Sequence, residues 1–191
     1  MTQGRTRLPL AIDDWDRVWG DQLIRAIDQN LEALDSNISS SASTVGYYGS
    51  FYSTVNQNAL IINTPYAMTF NNTAASNQIA VVSNSRITFK NRGTYNIQFS
   101  VQLDQTSALA HTIYIWFRRN GTDIPYSASR VAIPGINSQS VPAWNFIVSV
   151  IGQDYVEIMW AVDNTAVFLS AVASASFRPA IPSVIATVVS V

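Results

Sequence analysis

The sequence predicts an all-β sandwich or barrel, with two packed antiparallel sheets the preferred form, behind a short N-terminal α-helix. Three observations carry this expectation. After residue 44, apolar side chains recur with period two, as in strands that bury one face. Clusters of Asn, Gly, Pro and Ser separate about ten such runs, and no helix-period segment interrupts them. Before residue 36 the apolar period is instead close to 3.5.

Charge divides the chain at the same place. Residues 1–43 hold four basic and seven acidic side chains, and residues 44–191 hold seven and five. The expected organisation is an N-terminal arm, helix and Ser-rich linker over 1–43, serving as a trimerising anchor, and a β head over 44–191. At 191 residues the chain suits one ordinary domain with a modest appendage.

Arg5, Arg7, Leu8, Pro9 and Leu10 form an arm that is polar and then apolar, and Pro9 biases Leu8 away from helical backbone. Residues 13–35 read as a helix. Asp13 or Asp14 caps it, and Asp16 sits in the first turn, where the dipole favours an anion. Ile24, Ile27, Leu31, Leu34 and Ile38 repeat at spacings of 3, 4, 3 and 4, a heptad seam with Ile24, Leu31 and Ile38 at a. The same stripe also fits an amphipathic helix lying on its own domain. Trp15 and Trp19, four apart on one helical face, have no evident use in a monomeric fold and read with the arm as a docking segment. The run SNISSSAST over 36–44 reads as a flexible linker.

In the head, 45–53, 66–70, 78–82 and 86–90 are the first strand candidates. The clearest alternation follows over 94–104, where Tyr95, Ile97, Phe99, Val101 and Leu103 oppose Asn96, Gln98, Ser100 and Gln102. The run 111–119 leads to an Asn120-Gly121 hairpin turn. Further candidates are 144–150, 155–163, 166–172 and 183–191.

Composition narrows the chemistry. Charged residues make up only 12% of the chain against about 25% in a typical globular protein, while hydrophobic residues reach 48%. Part of so uncharged a surface is expected to be covered by other protein. A net charge of −1 offers no field for nucleic acid or anionic lipid. With no cysteine there is no disulfide, thiolate site or cysteine nucleophile, and His111 is the only imidazole. His111 reads as a surface or interface histidine, Arg118 and Arg119 as a solvated edge or ion-pair partners, and Asp123 and Asp154 as turn formers. Asp163 and Asn164 lack the acidic neighbour that a calcium site needs. No apolar run reaches the roughly 20 residues of a membrane span, and the first residues lack the apolar core of a signal peptide. No catalytic residue, cofactor or metal is expected.

Residues GSFYS (49–53), ITFKNRGTYNIQFSVQ (87–102), IYIWFRRNGTDIPYS (113–127) and IGQDYVEIMW (151–160) together resemble, in order, the globular C1q-like domain, a jelly roll shared with the tumour necrosis factor superfamily. The chain also resembles small bacteriophage virion proteins that carry such a domain behind a short helix, including the segment RTRLPL…DWDRVWGDQL. The resemblance implies an antiparallel jelly-roll β-sandwich and a homotrimer with an apolar three-fold interface. The family's collagen stalk is absent, since no Gly-X-Y repeat occurs.

The expected function is that of a non-enzymatic virion structural protein, made in a bacterial cytoplasm and located in the virion. It would be a homotrimeric capsid decoration or cement protein. The rival is a tail-fibre or receptor-binding tip protein. Expected partners are the chain itself, the major capsid protein or another virion protein, and in the rival reading a host-surface glycan; nucleic acid and membrane are not expected. Aromatic residues Tyr47, Tyr48, Phe51, Tyr52, Trp116, Trp144 and Trp160 read as core or trimer-axis groups before they read as a sugar platform.

Overall fold

The computed structural model describes residues 17–42, 46–136 and 138–191, and within the helix the side chains at 20 and 22–34. Two compact units result, Met1–Gly46 and Tyr47–Val191.

The first unit contains α1, Arg17–Ala42. The helix therefore runs on through most of the Ser-rich stretch expected to be a flexible linker, past the expected end at residue 35. No Gly or Pro falls between residues 21 and 45 to stop it. Serine costs a helix less than about 0.7 kcal/mol per residue, so the periodic segment before it propagates into it. Asp13, Asp14 and Asp16, the expected cap and first-turn acid, lie outside the described residues.

The second unit is all β. Its strands are β1 (Tyr48–Ser53), β2 (Gln57–Asn58), β3 (Tyr66–Ala67), β4 (Asn72–Asn77), β5 (Ile79–Val82), β6 (Arg86–Phe89), β7 (Gly93–Val101) and β8 (Leu103–Gln105). They continue with β9 (His111–Arg119), β10 (Thr122–Asp123), β11 (Ser129–Ile133), β12 (Ala143–Val150), β13 (Tyr155–Val162), β14 (Val167–Leu169) and β15 (Val184–Ser190). A five-stranded sheet has the order β12-β7-β15-β1-β4. A seven-stranded sheet has the order β10-β9-β13-β6-β5, with β11 also on β9 and β3 also on β13. A small third sheet has the order β2-β14-β8. The strand pairings are antiparallel throughout.

The pairing is nested. β9 pairs with β11, β7 with β12, β6 with β13, and β1 with β15. Consecutive long strands thus alternate between the two large sheets, and the sandwich closes like a ribbon folded over on itself. Period two decides which side chains fill it. In β7 the alternating set Tyr95, Ile97, Phe99 and Val101 is buried, and Leu103 of β8 with it. Trp160, Phe51, Phe89 and Phe117 are also fully buried, and Trp144 meets Phe99 edge-on at 4.7 Å. Each such side chain contributes about 1.5–3 kcal/mol by leaving water.

The two ends of this unit differ. At the end where the chain enters the unit at Tyr47, called proximal, Ser190 N–H donates to the Tyr47 carbonyl (2.9 Å) and Val191 N–H to that of Thr94 (3.0 Å). At the distal end, Ser53 stands opposite Val184 and β8 continues from β7. The Asn120-Gly121 turn lies at the proximal end with φ of 49° and 81°, the paired positive values of a tight hairpin turn.

Candidate functional site

None of the strands of the five-stranded sheet carries a charged side chain. The charged groups of the strands lie instead on the other sheets: Arg86, Arg118, Arg119, Asp123, Arg130 and Glu157 on the seven-stranded one and Asp104 on β8. Alternation sends Tyr95, Ile97, Val184, Ala186 and Val148 of the uncharged sheet inward. The opposite face presents Asn96, Gln98 and Ser100 of β7, Ile185, Thr187 and Val189 of β15, and Asn145 and Ile147 of β12. Ile147 is 60% exposed, and Ile185 and Val189 are each 39% exposed. A shallow groove of about 390 Å3 crosses this face, lined in part by Gln98, Asn145, Ile185 and Thr187. β12 is moreover an eight-residue edge strand without a charge, the kind of edge that soluble monomers usually blunt.

The helix presents a second uncovered surface. Ile24, Ile27, Leu31 and Leu34 are 58%, 42%, 54% and 54% exposed. The less exposed stripe of α1 is Leu23, Ala26, Asn30 and Ala33, one step round the helix from the seam. No described seam residue is buried. Ile38 and Trp19 lie on the helical backbone, but their side chains are outside the description, as are Arg5, Arg7, Leu8, Pro9, Leu10 and Trp15 altogether.

Polar groups elsewhere brace the backbone. Asp154 is buried and accepts hydrogen bonds from Asn120 Nδ2 (2.7 Å) and Ile151 N–H (3.0 Å), tying two proximal turns together. Burial pushes its pKa up, but these bonds and the Arg119 charge outweigh that and hold it below the usual carboxylate value. Asp123 accepts from Arg118 Nε (2.7 Å) and Trp116 Nε1 (2.8 Å), and these bonds lower its pKa.

The structure also brings together a trio that sequence reasoning did not assemble. His111 Nε2 lies 2.9 Å from Ser107 Oγ, and its Nδ1 lies 3.4 Å from Asp163 Oδ1. The second contact is long for a hydrogen bond. Ser107 Oγ also accepts Leu109 N–H (3.2 Å), and Asp163 Oδ1 accepts Thr112 N–H (2.9 Å), so the trio ties loop ends to β9. Asn164 Oδ1 accepts Ala166 N–H, which makes it a turn former. Among the described residues no group of three metal-ligating side chains forms, and no helix is long and apolar enough to cross a membrane.

Of the aromatic residues, Phe51 and Trp160 belong to the core, while Tyr48 is 44% exposed at the start of β1. Compared with protein-family models and with curated sequences, the chain matches none.

Proposed function

We propose that this protein is a non-enzymatic bacteriophage virion structural protein that assembles as a homotrimer. In this reading it is a capsid decoration or cement protein whose N-terminal segment attaches it to the particle and whose head is a C1q-like jelly roll. The observation that carries association is the five-stranded sheet without a charge. Interface centres are depleted in charged residues, and a solvent-facing sheet of this size would ordinarily carry several. Chains meeting here would bury no unpaired ion. The open heptad seam of α1 needs the same kind of partner, and a copy bound at one surface raises the local concentration of the other. The nested pairing of β1 with β15, β6 with β13, β7 with β12 and β9 with β11 supports the jelly-roll assignment.

Placement in a virion rests on the sequence resemblance. A second reading, a tail-fibre or receptor-binding tip, is favoured by the distal loops, where Leu60, Ile61 and Leu109 are 83%, 61% and 71% exposed. Tyr66 Oη accepts Leu60 N–H (3.1 Å) and Ile61 N–H (2.9 Å), so two of these side chains stand on a braced loop.

Sedimentation equilibrium of the whole chain tests association, with a trimer expected at micromolar concentration. A folded monomer overturns it. A cryo-EM map of the intact particle tests location. Many copies on the capsid surface support decoration, and a few copies at the tail support the tip.

A further inference from the structure

Between β14 and β15 the chain makes an excursion over residues 170–183 that folds as a small hairpin. Val172 and Ile181 exchange both backbone hydrogen bonds (2.9 and 2.8 Å), and so do Ala175 and Arg178 (3.0 and 3.2 Å), which leaves Ser176 and Phe177 as the turn. The base is anchored by Ser170 N–H to the Gln102 carbonyl (2.8 Å) and by Ala171 N–H to Asn56 Oδ1 (2.7 Å). Against its flank lies a pocket of about 250 Å3. Its apolar lining is Leu103, Val172 and Ile181, and its polar lining is Gln102, Gln139, Ser170 and Arg178.

Arg178 is the only charged residue among these. Its Nη1 donates to the carbonyls of Ala173 (2.9 Å) and Pro179 (3.0 Å), so the side chain is already held in place. It is half-buried, and no described acidic side chain pairs with it. Asp104, outside the lining, accepts Gln105 N–H (2.7 Å) and Gln139 Nε2 (3.3 Å). A guanidinium fixed at one nitrogen offers its remaining N–H groups as a planar fork, the geometry that matches a carboxylate with two parallel hydrogen bonds. Amide and hydroxyl groups beside it suit sugar hydroxyls, and the aliphatic side suits the C–H face of a ring. The volume is smaller than the roughly 300–1,000 Å3 of drug-sized ligand sites, which is room for one ring.

We infer that this distal pocket binds a single carboxylate-bearing sugar ring, a uronic acid residue, with Arg178 holding the carboxylate. The biological source, a surface glycan, rests on the receptor-tip reading above; the chemistry of the pocket does not.

Titration calorimetry of the full chain with methyl glucuronide and methyl galacturonide tests this. Methyl glucoside lacks the carboxylate, acetate lacks the ring, and inorganic phosphate is a non-planar anion. At least one uronide should bind about tenfold more tightly than all three controls, the order expected for a charge-assisted bidentate contact. Arg178→Gln should remove about tenfold of that affinity, and Arg178→Lys should not restore it, since lysine has the charge without the fork. Because Arg178 also braces the hairpin, Gln139→Ala provides a variant on a separate segment, expected to weaken binding several-fold with unchanged thermal unfolding. The inference is overturned if neither uronide binds, if acetate, glucoside or phosphate binds as well, or if either Arg178→Gln or Gln139→Ala binds normally. Particle location is read by the cryo-EM map and not by this titration, so the pocket and the biological role can fail separately.

Discussion

Asp154 and the Asn120-Gly121 turn hold the proximal end together one side chain at a time. Asp154→Ala leaves Ile151 N–H and the Asn120 amide without their acceptor. The expected loss is about 1.5–3 kcal/mol, the range for hydrogen bonds to a charged group, measured by urea unfolding at neutral pH. The same carboxyl sets a pH dependence. Its folded pKa lies below the ordinary 3.8, so its contribution is fully present above that value and disappears as pH falls through the folded one. Asp154→Asn should therefore flatten the stability profile in acid, and an unchanged acid limb would refute the assignment. Gly121, at a φ of 81°, gives a cleaner test of backbone cost, because an added Cβ would meet only Tyr155 Oη at 3.7 Å. Gly121→Ala should cost about 1–2 kcal/mol from left-handed backbone alone, read by thermal denaturation. The turn was legible in the Asn-Gly pair. The buried role of Asp154 was not, because its partner Asn120 is 34 residues away in sequence.

Among the elements, α1 and the strands differ in what their local sequence decides. Tyr95, Ile97, Phe99 and Val101 alternate strongly enough to identify β7 and its inward face together. β4, Asn72–Asn77, carries no large apolar side chain and is visible only through its pairing with β1. The helix was legible from its heptads, but its end was not, since serines carry no apolar period and no stop signal. Replacing Ile27 and Leu34 together with Asp should reduce the helical circular dichroism signal of the assembled protein while leaving a trimeric head. Each lost apolar contact is worth about 1.5–3 kcal/mol, more than a short seam absorbs. A full helical signal in that double variant would show that the seam has no partner.

For the whole molecule the decisive feature is where charge is missing. Ile185→Asp and Gln98→Glu, on the exposed face of the five-stranded sheet, should shift sedimentation from trimer toward monomer without altering β structure. A buried unpaired charge in the assembly costs several kcal/mol, while the same side chain on a free monomer costs little. Trimers at wild-type concentration would place the interface elsewhere. Deleting residues 1–20 tests attachment separately. The shortened protein should stay folded and trimeric but fail to load onto particles that lack it, because Arg5, Arg7, Leu8, Leu10, Trp15 and Trp19 are the proposed anchor, and aromatic anchors dominate such contacts at about 2 kcal/mol or more each. Retention of full-length copy number after sedimentation would transfer attachment to the head.

The sequence by itself determined the strand period, the all-β class, the helix and the scarcity of charge, because each is a local pattern or a composition. It could not say that β7, β12 and β15, each uncharged, are neighbours in one sheet, or that Arg178, Gln102 and Gln139 line one pocket. Those relations join residues many tens of positions apart. They exist only once antiparallel pairing has chosen partners, since register fixes which side chains share a face and the primary sequence carries no record of register beyond its period of two.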